Sequence, residues 1–246
     1  MLRQSSYVAI AAAGGLGLVF AGPAKSEFFS GPYVGVEGDL TSAVTFVHEE
    51  DDGDTATHGI EDPLTGGSAI LGIGHQEGGL YYGLEARYTF GDREGEVEDE
   101  EFEDFARIAD FELGDGYSFS ARLGSLLYDG TVMLYGSVGY VQREFSADIE
   151  GTITDVPDVP DLGDYDVAGD EDFSGYRAAI GMEYRPTNVP IRVHVEGSRS
   201  DLGDETIELE GTSTKKGEIG VDDGWEEEID DLVEHAFHVG VAYTFE

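Results

Sequence analysis

The stretch Glu234–Glu246 (EHAFHVGVAYTFE) alternates between two kinds of side chain. One phase is apolar and aromatic, and consists of Phe237, Val239, Val241, Tyr243 and Phe245. The other phase is small or polar, and consists of Ala236, His238, Gly240, Ala242 and Thr244. A period of two predicts a strand with two unlike faces. A soluble sandwich can contain such a strand, but a strand between lipid and a polar lumen requires this pattern.

The composition excludes several classes of protein. The chain has 246 residues, 53 of them acidic and 13 basic, with a formal net charge of −40. That charge repels nucleic acid, so we expect no nucleic-acid partner. Cysteine is absent, which excludes disulfides and thiolate metal sites. The 36 glycines and 11% aromatic residues favour an all-β barrel or sandwich.

The N-terminal segment has the layout of a secretory signal peptide. Arg3 precedes an apolar run, Tyr7–Phe20, which ends at the small residues around Ala21 and Ala24. We predict a signal peptide over residues 1–24, cleaved after Ala21 or Ala24, and a β-barrel domain over residues 25–246. A transmembrane anchor is the alternative, but the run is shorter than the roughly 20 residues that a spanning helix needs.

Alternating segments predict eight strands in the mature chain. They cover residues 33–40, 68–76, 80–90, 117–127, 131–145, 173–185, 189–199 and the C-terminal stretch. An end at Val47 is an alternative for the first strand, and a start near Phe105 is an alternative for the fourth. The connections alternate between long and short. In an up-and-down barrel this places the short turns 77–79, 128–130 and 186–188 at one end, the turn end. The long connections 41–66, 91–116, 147–173 and 200–233 lie at the other, the loop end. An outer-membrane barrel has this layout, whereas a Greek-key sandwich gives no reason for it.

The negative charge is concentrated in the long connections. They hold 42 of the 53 acidic residues and only four of the 13 basic ones. We interpret them as acidic extracellular loops with a solvated surface, as in proteins adapted to high salt. Divalent cations at Asp155–Asp166 or Val221–Asp231 are the alternative, because hard cations prefer clustered oxygens. Neither stretch has the spacing of an EF-hand loop, so we predict no metal site.

The charged residues in the middle of the strands share one property: each lies on the phase opposite the apolar set of its own strand. They are Glu37, Asp39, Glu85, Arg87, Arg122, Arg177, Glu183, Arg192 and Glu196. We predict that they face the lumen as ion pairs, because eight strands leave room for side chains and little more. An ion or solute pathway is the alternative function for the same residues.

Aromatic residues on the apolar phases are predicted to form two girdles at the membrane interfaces. Near the turn end these are Tyr82, Tyr184, Tyr243 and Phe245. Near the loop end they are Tyr88, Phe90, Tyr117, Phe119, Tyr140, Phe173, Tyr176 and Phe237.

Five strand motifs carry a resemblance to a known family. They are YVGV at 33–36, YGLEARY at 82–88, LYGSVGY at 134–140, GYRAAIGMEY at 175–184 and VGVAYTF at 239–245. In their order and spacing the chain resembles the small bacterial outer-membrane β-barrel family, the OmpA-type or porin-family eight-stranded domains.

The resemblance implies an eight-stranded antiparallel up-and-down transmembrane barrel in the outer membrane of a Gram-negative bacterium, reached by export through the periplasm. It also implies a monomer whose partners are outer-membrane lipid, lipopolysaccharide and the barrel-assembly machinery. Tyr243 and Phe245 would form the C-terminal assembly signal. Family members usually end on the aromatic residue, whereas here Glu246 follows Phe245.

Some barrels that this chain resembles modify lipid A, so catalysis has to be considered. His194, Glu196 and Ser198 share the inward phase of one strand. Residues two apart on a strand are about 6.6–6.8 Å apart, too far for a triad formed by these three alone. We therefore predict no catalytic residue and no cofactor, and a structural or surface-interaction role. A narrow porin is the alternative, followed by a lipid A-modifying enzyme.

Overall fold

The protein is all-β in the part of the chain that the structure describes. This computed structural model describes residues 28–49, 55–60, 64–91, 93–99, 105–153, 163–215, 218–220 and 225–245. Its strands are β1 Gly31–Glu49, β2 Thr55–Ile60, β3 Leu64–Glu77, β4 Leu80–Phe90, β5 Arg93–Asp99, β6 Phe105–Leu127, β7 Val132–Ile153, β8 Gly163–Tyr184, β9 Ile191–Asp201, β10 Glu205–Lys215, β11 Glu218–Gly220 and β12 Trp225–Thr244. Within these ranges no helix is long and apolar enough to cross a membrane. The predicted signal peptide lies outside them.

Eight of the strands close into one antiparallel barrel. Its order is β1, β3, β4, β6, β7, β8, β9 and β12, each paired with the next. The C-terminal strand β12 then pairs with β1, from Tyr33↔Thr244 to Leu40↔Phe237. This closing pair leaves the barrel wall without a free edge, as a lipid environment requires. The predicted fold class, an eight-stranded up-and-down barrel, is confirmed.

The barrel wall has one buried face and one exposed face. Side chains along β3 and β4 alternate between the two faces. The outward phase carries exposed apolar side chains, with Leu71 60% exposed and Leu84 62% exposed. Strands β4 and β9 have 11 residues each, which is the length of a tilted strand that crosses a bilayer.

The long connections are not simple loops, which corrects part of the sequence prediction. Strands β6, β7, β8 and β12 run for 20 to 23 residues and extend well beyond the span of β4. Where β9 stops, β10 pairs with both β8 and β12, while β2 pairs with β1 and β5 pairs with β6. We call the described residues within 42–60, 93–113, 144–172 and 202–233 the loop-end extension. Backbone N–H and C=O groups need hydrogen-bond partners. Each long strand therefore stays paired where it extends beyond the bilayer-spanning part of the barrel.

The turn end is tightly closed. Gly78 and Gly79 join β3 to β4, with Gly78 at φ 61°, and Tyr128–Gly130 joins β6 to β7. The predicted turns at 77–79 and 128–130 are thus confirmed. Next to these turns an apolar group lies inside the barrel, and we call this group the turn-end layer. Its members are Phe29, Tyr81, Leu126, Met133 and Tyr135. Phe29, just before β1, is fully buried against the Tyr81 ring, with 6.4 Å between ring centroids.

One aromatic residue faces the inside of the barrel, although an outward position was predicted for it. Phe173 was predicted to belong to the outward girdle, but it is fully buried against Phe145, with 5.5 Å between ring centroids. The outward positions of β8 are even-numbered, as Tyr176 shows, so an odd-numbered residue must face inward. Phe173, next to the extension, belongs to a second group of buried apolar residues near the loop end, which we call the loop-end layer. Its members, at most 1% exposed, are Leu113, Phe145, Phe173, Leu202 and Leu232.

Close strand packing predicts a difference between two glycines of β7. A Cβ at Gly139 would collide with the backbone of β6 at Phe119 and Ser120, whereas at Gly136 the nearest atom is 3.7 Å away. We expect Gly139→Ala to lower the free energy of unfolding by about 1–3 kcal/mol. The matched control Gly136→Ala should stay close to wild type. Urea unfolding in lipid vesicles measures both, and equal effects would contradict the described register.

Candidate functional site

The lumen between the two apolar layers is filled by charged side chains. The nine charged residues expected there are all buried, between 0% and 6% exposed: Glu37, Asp39, Glu85, Arg87, Arg122, Arg177, Glu183, Arg192 and Glu196. Charges at this depth require partners, because desolvation costs several kcal/mol for each ion. Two clusters of ion pairs supply most of them.

The lower cluster, nearer the turn end, is built around Arg122. Its Nη1 donates to Glu85 Oε2 at 2.8 Å and to the Tyr33 hydroxyl at 2.9 Å. Its Nη2 donates to Glu183 Oε2 at 3.1 Å. Arg192 donates to the other oxygen of Glu183 at 2.9 Å. One carboxylate is therefore shared by two guanidinium groups from different strands.

The upper cluster is built around Arg87. Its Nε lies 2.6 Å from Glu37 Oε1, and its Nη2 lies 2.9 Å from Glu196 Oε1. Arg177 binds the same Glu196 oxygen at 2.5 Å. Arg87 also reaches Glu85 at 3.4 Å, which joins the upper cluster to the lower one.

A further ion pair lies above the upper cluster and was not predicted from the sequence. Arg143 Nη2 lies 2.9 Å from Glu234 Oε1, and Thr41 donates to the same oxygen at 3.2 Å. Both charged residues lie near the ends of the predicted strands, outside the middle positions that the sequence criterion covered. The phase alone would have found them, because Arg143 shares the phase of Ser137 and Glu234 that of His238.

The structure does not bring His194, Glu196 and Ser198 together. His194 Nε2 lies 2.9 Å from Glu37, Glu196 is bound by arginines, and Ser198 Oγ lies 3.0 Å from His238 Nε2. A different set forms across strands, since His238 Nδ1 lies 3.5 Å from Glu37 Oε1. Serine, histidine and glutamate thus stand in the order of a catalytic triad.

The electrostatics of this set oppose catalysis. Arg177 Nη2 lies 3.2 Å from the same Nε2 of His238 that faces Ser198. A general base at His238 would have to become a cation beside that guanidinium group, in a region of low dielectric constant. The adjoining cavity has a volume of about 20 Å³. The contacts of His238 connect Arg177 on β8, Ser198 on β9 and Glu37 on β1.

No candidate metal site is present among the residues that the structure describes. They contain no group of three or more His, Asp or Glu side chains placed to hold a metal ion. Most of the acidic stretch Asp155–Asp166 lies outside the described residues. The side chains of Val221–Asp231 are not described either, so the cation alternative stays untested there.

The sequence also matches a known family of barrel domains. A sequence model of the outer membrane protein beta-barrel domain matches residues 11–245. The chain belongs to this family. No match was found among curated protein sequences.

Solved structures of other outer-membrane proteins align with this chain. OprG from Pseudomonas aeruginosa aligns with a TM-score of 0.52 at 13% identity, over 88% of this chain and 97% of its own. Ail, the attachment invasion locus protein of Yersinia pestis, gives 0.43 at 13% identity, over 88% and 99%. The outer membrane protease OmpT from Escherichia coli gives 0.40 at 13% identity, over 89% and 98%. At 13% identity the likeness to OprG concerns the fold alone.

The exposed aromatic residues lie near the two ends of the barrel, as expected in an outer-membrane protein. Tyr184, Tyr243 and Phe245 are each 48% exposed near the turn end. Near the loop end Tyr88 is 50% exposed and Phe237 is 49% exposed. Two rings of this kind match the two interfaces of a bilayer.

The ion clusters predict a large effect from one isosteric change. Glu183→Gln removes the charge that Arg122 and Arg192 share, and leaves two buried cations with too few partners. We expect a loss of about 3–5 kcal/mol in the free energy of unfolding, measured in lipid vesicles. Glu144→Gln, on the exposed face of β7, is the control and should change it by less than about 0.5 kcal/mol. A similar small change for both variants would mean that the clusters contribute little to stability.

Proposed function

We propose that this protein is a non-catalytic and non-conducting barrel in the outer membrane of a Gram-negative bacterium, where it arrives through the periplasm. It stabilises the envelope and presents an acidic surface outward. The observation that carries this proposal is the burial of the lumen side chains that the structure describes. They belong to the turn-end layer, the ion clusters and the loop-end layer.

The filled lumen opposes permeation for an energetic reason. The cavity beside the upper cluster has a volume of about 20 Å³, which is room for about one water molecule. A permeating solute would have to separate pairs such as Arg87–Glu196 and Arg122–Glu183. Breaking a buried pair costs about 3–5 kcal/mol, and several lie along the path. Passage would also require both apolar layers to open.

The outward surface supports a role in interactions outside the cell. Strand pairing in the loop-end extension sets acidic positions directly opposite each other, as in Glu96↔Asp110 and Asp110↔Asp148. Like charges in this arrangement repel, which favours a solvated surface at high salt concentration. Divalent cations, including those that accompany lipopolysaccharide, are the alternative counter-charge.

The remaining partners follow from the position in the membrane. Outer-membrane lipid and lipopolysaccharide would surround the exposed apolar face as the solvent of a monomer. The barrel-assembly machinery would read the C-terminal aromatic pair Tyr243 and Phe245, whose rings lie 5.1 Å apart.

A narrow porin is the second candidate function. The observation in its favour is the charge of both signs in the lumen, since acidic and basic side chains also line ion pathways. This function would require the ion pairs and both apolar layers to rearrange together.

Planar-bilayer recording separates the two functions. We expect no conductance steps at any tested voltage from the full mature chain. Insertion should be verified by protease protection of the barrel strands in the same preparation. A known general porin, added to the same bilayer, is the control for fusion and electrical sensitivity. Reproducible unit steps from the purified chain would exclude the non-conducting function.

A further inference from the structure

A small cavity lies between the upper cluster and the Arg143–Glu234 pair. Its volume is about 20 Å³, and its walls include Arg87, Arg143, Arg177, Ser118 and Ser200. All five residues are at most 6% exposed. A space of this size holds one species of about the size of a water molecule.

One hydrogen-bond donor in these walls is unused. Arg87 Nη1 is buried and has no hydrogen-bond partner among the residues that the structure describes. The hydroxyls of Ser118 and Ser200 belong to residues that border the same cavity, and both side chains are buried. Unsatisfied buried donors are costly, so an acceptor in the cavity would be stabilised.

The charge around the cavity is positive. Three guanidinium groups line it, from Arg87, Arg143 and Arg177, with Glu234 as the lining carboxylate. Glu37 and Glu196, which bind Arg87 and Arg177, do not border the cavity. Arginine only donates hydrogen bonds, and its charge repels a cation at short range.

We propose that this cavity binds one small monovalent anion of the size of chloride or bromide. The volume excludes a phosphate or sulfate group. The donors that would hold the ion are Arg87 Nη1 and the hydroxyls of Ser118 and Ser200. Such an anion would connect the upper cluster to the Arg143–Glu234 pair above it by accepting hydrogen bonds from the cavity walls. This site is independent of the proposed surface role.

Anomalous diffraction tests the site directly. Crystals of the folded chain in detergent, grown or soaked in sodium bromide, should show a bromide peak within hydrogen-bond distance of Arg87 Nη1. Electron density at this position without an anomalous signal would mean a water molecule and would overturn the proposal. An empty cavity, or bromide bound only at the protein surface, would overturn it as well.

A solution measurement uses two serines of one strand. Ser118 and Ser120 both face the lumen from β6 and are buried, but only Ser118 borders the cavity. The melting temperature of wild type should be roughly 2–4 °C higher in sodium chloride than in sodium gluconate of equal ionic strength. Ser118→Val should lose this chloride-specific difference, whereas the control Ser120→Val should keep it. Equal differences in all three proteins would contradict the site.

Discussion

Charge pairing inside a closed lumen is the constraint on which the rest of the structure depends. Arg87 on β4 binds Glu37 on β1 and Glu196 on β9, and Arg122 on β6 binds Glu183 on β8. These bonds connect strands that are not neighbours in the wall. A slip of one residue in any strand would turn its charge toward lipid and its apolar residues toward the clusters. The pairs therefore restrict register as well as fill space, and buried apolar residues lie on both sides of them.

The loop-end extension obeys a different constraint. Its strands retain hydrogen-bonded partners outside the bilayer span, while their register sets acidic positions against each other, as in Glu150↔Asp166. Backbone pairing and the buried loop-end layer favour the extension, and repulsion between carboxylates opposes it. The barrel and its extension thus carry charge in opposite ways, with balanced pairs inside and excess negative charge outside. This division fits a protein whose inner part is structural and whose outer part meets solvent and partners.

Much of the barrel was predictable because a strand has a period of exactly two residues. The alternation in β12 gave its two faces, and the same phase rule predicted Glu37, Arg122 and the other central charges as lumen residues. Phe173 follows the same rule and not the predicted girdle, because its odd number sets it inward. Neither the partners of each charge nor the Ser198–His238–Glu37 contact follows from phase, because they depend on how strands tilt around the lumen. The strand pairing of the loop-end extension was not predicted, because its acidic composition resembles that of a loop.

Thiol labelling tests the filled lumen most directly, since the natural chain contains no cysteine. Ser120→Cys and Ser137→Cys would each place one thiol at a buried lumen position, and Asp129→Cys would place one at an exposed turn. In lipid vesicles permeabilised to a small charged maleimide, the account predicts rapid labelling of Asp129→Cys. It predicts labelling of the two lumen variants only after unfolding. Labelling of folded Ser120→Cys and Ser137→Cys at the rate of Asp129→Cys would contradict a filled lumen.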